Sequence, residues 1–263
     1  MRTMHRPGTM ALWAIVGLCA GCVEHAGPEA MALLDAARAA LEASNHAAAV
    51  ERTSEFLAQN SHTAEAEAAY YVRGLARWQA GDQAGAREDL QAAASRARTG
   101  VMHFKAVKAL GDLAMETGDA EWAVTLYKQA IEEAEPNAPA LDEVRYGLGC
   151  AYQRLGQWWQ ADAQFDRLGH VFPDSPTAAL AGRRVRCQAW TFQISAYRRK
   201  GLADDESARL GRLGLETNVR PAIVGDGLLY LVESGRHDTY AQALADAERV
   251  RRFSADAKIV PTR

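Results

Sequence analysis

The chain lacks the spacings that most metal and catalytic sites need. Its seven histidines are scattered, and beyond Cys22 there is neither a His-x-x-x-His nor a Cys-x-x-Cys pattern, so no metal ion or other cofactor is expected. Serine, histidine and aspartate occur without the Gly-x-Ser-x-Gly context of a nucleophile elbow. The one compact carboxylate cluster, Asp204-Asp205-Glu206, is expected at the start of a helix, where the macrodipole stabilises acidic side chains without any chemistry. The chain therefore reads as non-enzymatic. Long apolar runs are missing too. Ala11 to Gly21 falls short of the roughly 20 residues that span a bilayer, yet behind Arg2, His5 and Arg6 it is long enough for the central region of an export signal.

What is present divides into two parts. With 263 residues, 48% of them apolar, the chain can bury two cores. The net charge of −3 conceals an asymmetry: residues 1–182 carry 15 basic and 23 acidic side chains, whereas residues 183–263 carry 15 and 10. The basic part includes Arg183, Arg184, Arg186, Arg198, Arg199, Lys200, Arg249, Arg251 and Arg252. Such a field attracts an acidic partner or a negatively charged wall polymer, or it is simply a set of solvated faces.

The last seventy or so residues alternate in type. Trp190, Phe192 and Ile194 alternate with Thr191, Gln193 and Ser195, the period of a strand with one buried and one wet face. Leu228, Tyr230 and Val232 repeat the pattern, and Gly225-Asp226-Gly227 supplies a tight hairpin from a strand over 216–224. Leu210 and Leu213 before Gly214 mark a short helix. Tyr240, Ala243, Leu244, Ala247 and Val250 form one helical stripe behind a Thr239/Gln242 capping box, and Ala257, Ile259 and Pro261 a last strand. The order is βαββαβ, and two helices on one face of a four-stranded antiparallel sheet leave the other face open. By strand parity Gln193, Ser195, Leu229, Leu231 and Glu233 point to that open face. The alternative for Leu229 and Leu231 is contact with the preceding helical region.

Gln193-Ile-Ser-Ala-Tyr197 and Leu231-Val-Glu-Ser-Gly-Arg236 resemble the Gln-x-Gly-x-aromatic and Arg-Val-x-x-Gly-Pro motifs of the SPOR family, a bacterial envelope module that binds peptidoglycan glycan strands. Gln193, Tyr197, Val232 and Gly235 match, whereas Ser195, Leu231 and Arg236 depart from the pattern. The resemblance implies a glycan site comprising Gln193, Ser195, Tyr197, Leu229, Leu231 and Glu233. Because Leu231 stands where the family has an arginine, the alternative is an adaptor whose module has lost sugar binding. RNA binding through the similar strand order of the RNA-recognition fold is disfavoured, since strands one and three lack stacking aromatics on the open face and the export signal points away from nucleic acid.

The preceding region repeats. Leu148-Gly149-x-x-Tyr152-x-x-x-Gly156-x-Trp158-x-x-Ala161-x-x-x-Phe165, closed by Phe172-Pro173, resembles the tetratricopeptide signature. Leu110-Gly111, Gly118, Ala123, Tyr127 and Ala130 give a second copy, Gly74, Gly81, Ala86 and Ala93 a weaker one, and Ala37, Ser44 and Ala49 a degenerate first. The copies start near Ala30, Glu67, Phe104 and Asp142, each step a few residues longer than the usual roughly 34; Glu135-Pro-Asn-Ala-Pro139 is one of the longer turns. The expected architecture is an α-solenoid of about four helix pairs over 30–189, ending in a capping helix from Pro176 to Ala189 with Asp174 or Ser175 as its cap, then the SPOR-like domain over 190–263. Trp158 reads as repeat packing and not as half of a sugar-stacking pair with Trp159. Cys150 and Cys187 either bridge in an oxidising compartment or stay as two thiols.

Ala20-Gly21-Cys22 after the apolar run resembles the box cut by lipoprotein signal peptidase, with Cys19 in place of the usual leucine three positions before the cut. This implies a signal peptide over 1–21, lipid on Cys22 and a tether over 22–29. Together the resemblances imply a periplasm-facing lipoprotein, on the outer membrane if the host is a diderm, since Val23 and not Asp follows the cysteine. It would bind peptidoglycan through one module and dock envelope or division proteins through the other.

Overall fold

The computed structural model describes residues 24–135, 138–224 and 227–263. The signal segment with Cys22, part of the Glu135–Pro139 turn, and Gly225-Asp226 lie outside the described residues.

Four antiparallel helix pairs stack side by side: α1 (Pro28–Glu42) with α2 (His46–Asn60), α3 (Ala66–Gln79) with α4 (Gln83–Ala97), α5 (Gly100–Thr117) with α6 (Ala120–Glu133), and α7 (Leu141–Arg154) with α8 (Trp158–Val171). The short α9 (Pro176–Arg184) covers the last pair. Pairing depends on small residues at recurring positions. Ala86, Ala123 and Ala161 are fully buried, and glycine faces a bulky partner in each of the last three pairs: Gly74 meets Leu90, Gly111 meets Tyr127 and Gly149 meets Phe165. The turn inside each pair needs a positive φ, supplied by Gly81, Gly118 and Gly156 and, in the degenerate first copy, by Ser44 at φ 57°. Asn45, Asp82 and Asp119 then cap the second helices by accepting from the amides of Ala48, Gly85 and Trp122. One apolar cluster runs from Ala86 through Leu110 and Tyr127 to Leu148, so each pair buries its stripe against the next. No helix among the described residues is long and apolar enough to cross a membrane.

The C-terminal part is a sheet in the order β2-β3-β1-β4, with β1 (Ala189–Tyr197), β2 (Asn218–Val224), β3 (Gly227–His237) and β4 (Lys258–Thr262), every neighbour antiparallel. Helices α10 (Lys200–Arg212) and α11 (Tyr240–Arg251) lie on one face. They enclose Phe192, Ala203, Leu210, Leu215, Val232, Ala247 and Val250. The Thr239/Gln242 capping box is present at the start of α11.

Several local expectations need correction. Helix α9 is capped by Ser175 and stops at Arg184, well short of Ala189, as Val185 turns to an extended ψ of 140° and Arg186 follows with a positive φ. Leu213 and Leu244 are exposed, so α10 is held by Ala203 and Leu210 and α11 by Ala243, Ala247 and Val250. Helix α10 already begins at Lys200, which moves Asp204-Asp205-Glu206 out of the first turn. Two of these acids are paired along the helix, Asp204 with Lys200 and Glu206 with Arg209. Cys150 and Cys187 are free thiols.

The two parts meet through Trp190. Its indole N–H donates to the carbonyl of Gln153 at 3.0 Å, and its ring lies 5.9 Å from Trp158 and 5.0 Å from Tyr240. Gln153, fully buried, accepts from the Arg184 guanidinium and donates to the Arg184 carbonyl. Trp158 thus packs between repeat and sheet, while Trp159 is exposed. Gly156 sits against the Asp238 carbonyl, which leaves no room for a side chain there. The first half of β1 is consequently covered on both faces, Ala189 to Phe192 being buried throughout, where alternation alone predicts one wet face.

Candidate functional site

The sheet face opposite α10 and α11 is the only one of the two left uncovered by the module's own helices. Strand β3 places Leu229, Leu231 and Glu233 on it, since Tyr230 and Val232 point into the helix-side core. Register then assigns the rest. Across β3, β2 brings Asn218, Arg220 and Ala222 opposite Glu233, Leu231 and Leu229. On β1, Thr191 and Gln193 share the face with Val260 and Lys258 of β4.

Strand β1 does not keep its parity along its length. Gln193 pairs with Glu233 but Ser195 with Val232, so Ile194 is an extra residue without a partner in β3, a β-bulge. Beyond it the faces exchange. Ser195 pairs with core Val232 and Tyr197 with Tyr230, and Tyr197 packs against the helix-side core. The Ser195 hydroxyl is buried with no hydrogen-bond partner among the described residues. The expectation that Ser195 shares the open face with Gln193 is therefore corrected, and Tyr197, expected at the glycan site, lies on the helix side with it; Ala196 takes the open-face position next to Leu231. A second irregularity lies between Trp190 and Phe192, where Gly235 adopts φ 72° and the Thr191 hydroxyl donates to the Ser234 and Gly235 carbonyls.

Of the expected residues, Gln193, Leu229, Leu231 and Glu233 do share the open face. Leu231 and Glu233 are buried there, at 6% and 2% exposure. Glu233 is held by Arg220, whose Nε and Nη2 donate to its two carboxylate oxygens at 2.9 and 2.7 Å. That hydrogen-bonded pairing pushes the Arg220 guanidinium further above its ordinary range, against the opposing effect of burial. An arginine thus stands on the sheet face directly across from Leu231, on the neighbouring strand.

Between this face and the end of the solenoid lies a cleft of about 790 Å³. Its floor is Gln193, Ala222, Val260 and Thr262, with Pro261 at the edge, and its far wall is Leu180, Gly182, Arg183 and Arg184 of α9 together with Tyr146 of α7. Beyond Arg220 a smaller hollow of about 360 Å³ is lined by Thr191, Asn218, Glu233, Arg236 and Thr262, among others. Gln193 is half-buried, and no hydrogen-bond partner holds its amide among the described residues. The apolar Ala222 and Val260 beside the Gln193 amide and the Thr262 hydroxyl suit a ring with one apolar face and peripheral hydroxyls.

Arg220 escaped the sequence reading although a signal for it existed. The hairpin register, Val224 opposite Gly227, sets Arg220 opposite Leu231, and a tight hairpin read from Gly225-Asp226-Gly227 in the sequence implies that pairing. Arg183 carries no such signal, because its place depends on how α9 meets the sheet.

Comparison with known proteins agrees with this division. The model of the SPOR domain family matches residues 188–261, and no curated protein matches the chain. Among solved structures, a tetratricopeptide repeat protein from Parabacteroides merdae is 18% identical over 71% of this chain and 66% of its own, with a TM-score of 0.53. MamA is 20% identical over 54% of this chain and 77% of its own at a TM-score of 0.48. YrrB, described as a tetratricopeptide protein with an unusual peptide-binding site, is 17% identical over 59% and 76% at 0.47. At such identities the likeness concerns fold alone. The helical region has the fold of a tetratricopeptide solenoid, and a SPOR domain with a four-stranded antiparallel sheet follows it.

Proposed function

We propose that this protein is a non-catalytic envelope lipoprotein that holds glycan strands of peptidoglycan on the open face of its SPOR domain and docks protein partners on its solenoid. The observation that carries the reading is the SPOR match over 188–261 on a sheet whose face opposite α10 and α11 is free of the module's own helices. Both modules belong to binding classes, in which shape and hydrogen bonding act without chemistry. Lipid on Cys22 would hold the chain at a membrane facing the periplasm; a saturated acyl chain contributes about 0.8 kcal/mol per buried methylene, and more than one chain makes a firm anchor.

The test is co-sedimentation of the full mature chain with purified sacculi, before and after an amidase removes the stem peptides. Binding that rises on amidase treatment and falls in Gln193→Glu, which replaces a donor and acceptor by an acceptor alone, supports the reading. A second reading, an adaptor without sugar binding, is favoured by the buried Leu231 at the family's arginine position; a folded protein that fails to sediment with either preparation establishes it. For the anchor, a palmitate analogue should label the wild type in cells and leave Cys22→Ser unlabelled, and an unlabelled wild type sinks that part.

A further inference from the structure

The cleft has one wall that does not belong to the SPOR domain. Arg183 and Leu180 project into it from α9, the helix that closes the solenoid, opposite Gln193 and Val260 of the sheet. The two walls are fixed relative to each other: Arg184 is bonded to buried Gln153 at 2.9 Å, and the same Gln153 accepts from the Trp190 indole. The cleft is therefore a built feature, and its volume of about 790 Å³ lies within the range of roughly 300–1,000 Å³ of small-molecule sites.

Its charge is one-sided. Among the described residues, four arginines, Arg183, Arg184, Arg220 and Arg263, line the cleft and no aspartate or glutamate does. Two of the four are engaged, Arg220 with Glu233 and Arg184 with Gln153 while lying over Trp190. Arg183 is exposed, and among the described residues no carboxylate lies within ion-pair distance of it. An apolar floor with a free amide under an unneutralised guanidinium fits a saccharide that carries an anionic group of its own.

We propose that the glycan site is composite, with Arg183 of the solenoid binding a carboxylate borne by the sugar strand while Gln193 and the sheet floor hold the ring beside it. The preferred ligand is accordingly an anionic amino-sugar polymer, and the solenoid is part of the binding site as well as a spacer. This rests on the glycan reading above. It also makes binding depend on the docked geometry that Trp190 and Gln153 maintain.

The experiment uses the full mature chain and two probes, amidase-treated sacculi, in which each muramyl residue bears a free carboxylate, and chitohexaose, a neutral oligomer of the same β-1,4-linked amino sugar. Arg183→Glu should weaken binding to the treated sacculi by about tenfold or more, the scale of one charge-assisted contact. Arg183→Lys should recover part of that affinity. Arg251→Glu, the same charge change on α11 behind the sheet, should stay within about twofold, because an exposed charge beyond a Debye length is screened. Chitohexaose should compete weakly, and equally for wild type and Arg183→Glu. Unaltered sacculus binding by Arg183→Glu with circular dichroism intact overturns the composite site and leaves the glycan reading standing. An equal loss in Arg251→Glu would show a general field effect and likewise overturns it, as does chitohexaose binding as tight as that of the charged strand. A wild type that binds no sacculi removes the glycan reading itself.

Discussion

The packing of Tyr127 sets up a sharp test of the solenoid. Its ring lies between two glycines on neighbouring first helices: a Cβ on Gly111 of α5 would stand 2.6 Å from Cε1, and one on Gly147 of α7 would stand 2.7 Å from Cζ. The ring is 2% exposed, and its hydroxyl donates to Asp112 at 2.6 Å, so it can retreat from one glycine only toward the other. In Gly111→Ala the helix gains about 0.8–1 kcal/mol of propensity. Against this, overpacking costs about 1–3 kcal/mol, and displacement of the ring weakens a hydrogen bond to a charged acceptor worth about 1.5–3 kcal/mol. The expected net is a loss of about 1–3 kcal/mol, a fall in Tm of about 3–10 °C for a region of this size. Gly169→Ala provides the opposite sign. Gly169 lies in α8 with nothing within 4 Å of a Cβ, so the same substitution should raise Tm by about 1–3 °C through propensity alone. Thermal unfolding followed at the helical circular dichroism band decides between them. If Gly111→Ala is as stable as Gly169→Ala, the glycine is not a contact point and the account of repeat packing is wrong. In a Tyr127→Leu background the shorter side chain clears the space, and Gly111→Ala should lose most of its cost.

Three further outcomes follow from single contacts. Ser44→Gly should stabilise the first pair by up to about 1 kcal/mol, since a left-handed residue with a side chain costs about 1–2 kcal/mol and the entropy of glycine offsets part of the relief; a lower Tm by calorimetry would contradict it. The amide of Ala26 and the ring of His25 hold Glu65 at a pKa of about 2, down from an ordinary 4.5. A carboxylate depressed in the folded state contributes stability that is present above pH 4.5 and lost as pH falls through about 2, so Glu65→Gln should flatten the acid limb of a stability-against-pH profile in that window and leave the neutral region nearly parallel to wild type. Arg220→Met leaves Glu233, whose side chain is only 3% exposed, without its partner, and should cost about 2–3 kcal/mol after allowance for the third of the Arg220 side chain that is in water; adding Glu233→Met should restore most of this in urea unfolding, and a double variant worse than the single would refute the pairing argument.

How far the sequence reaches depends on the range of the interaction. The helix pairs are legible because their determinants are local: Gly111 and Tyr127, or Gly149 and Phe165, lie 16 residues apart in one hairpin, and a small residue opposite a large one recurs in each of the last three pairs for the same steric reason. The helix-side core of the SPOR domain is legible by alternation, since Phe192, Tyr230 and Val232 fall on one face. Alternation then fails at Ile194. A single inserted residue reverses the face of everything after it in a period-two structure, which is why Ser195 and Tyr197 turn away from the site while Gln193 stays. The hairpin register placed Arg220 beside Leu231 within reach of sequence reasoning, because the strands on either side of Gly225-Asp226-Gly227 are adjacent in the chain. The tertiary structure alone decided that both faces of Ala189 to Phe192 are buried, that Gln153 and Trp190 lock the two modules together, and that Arg183 stands over the open sheet. Those facts depend on where a helix and a sheet distant in the fold come to rest, and no periodicity within either element encodes that meeting.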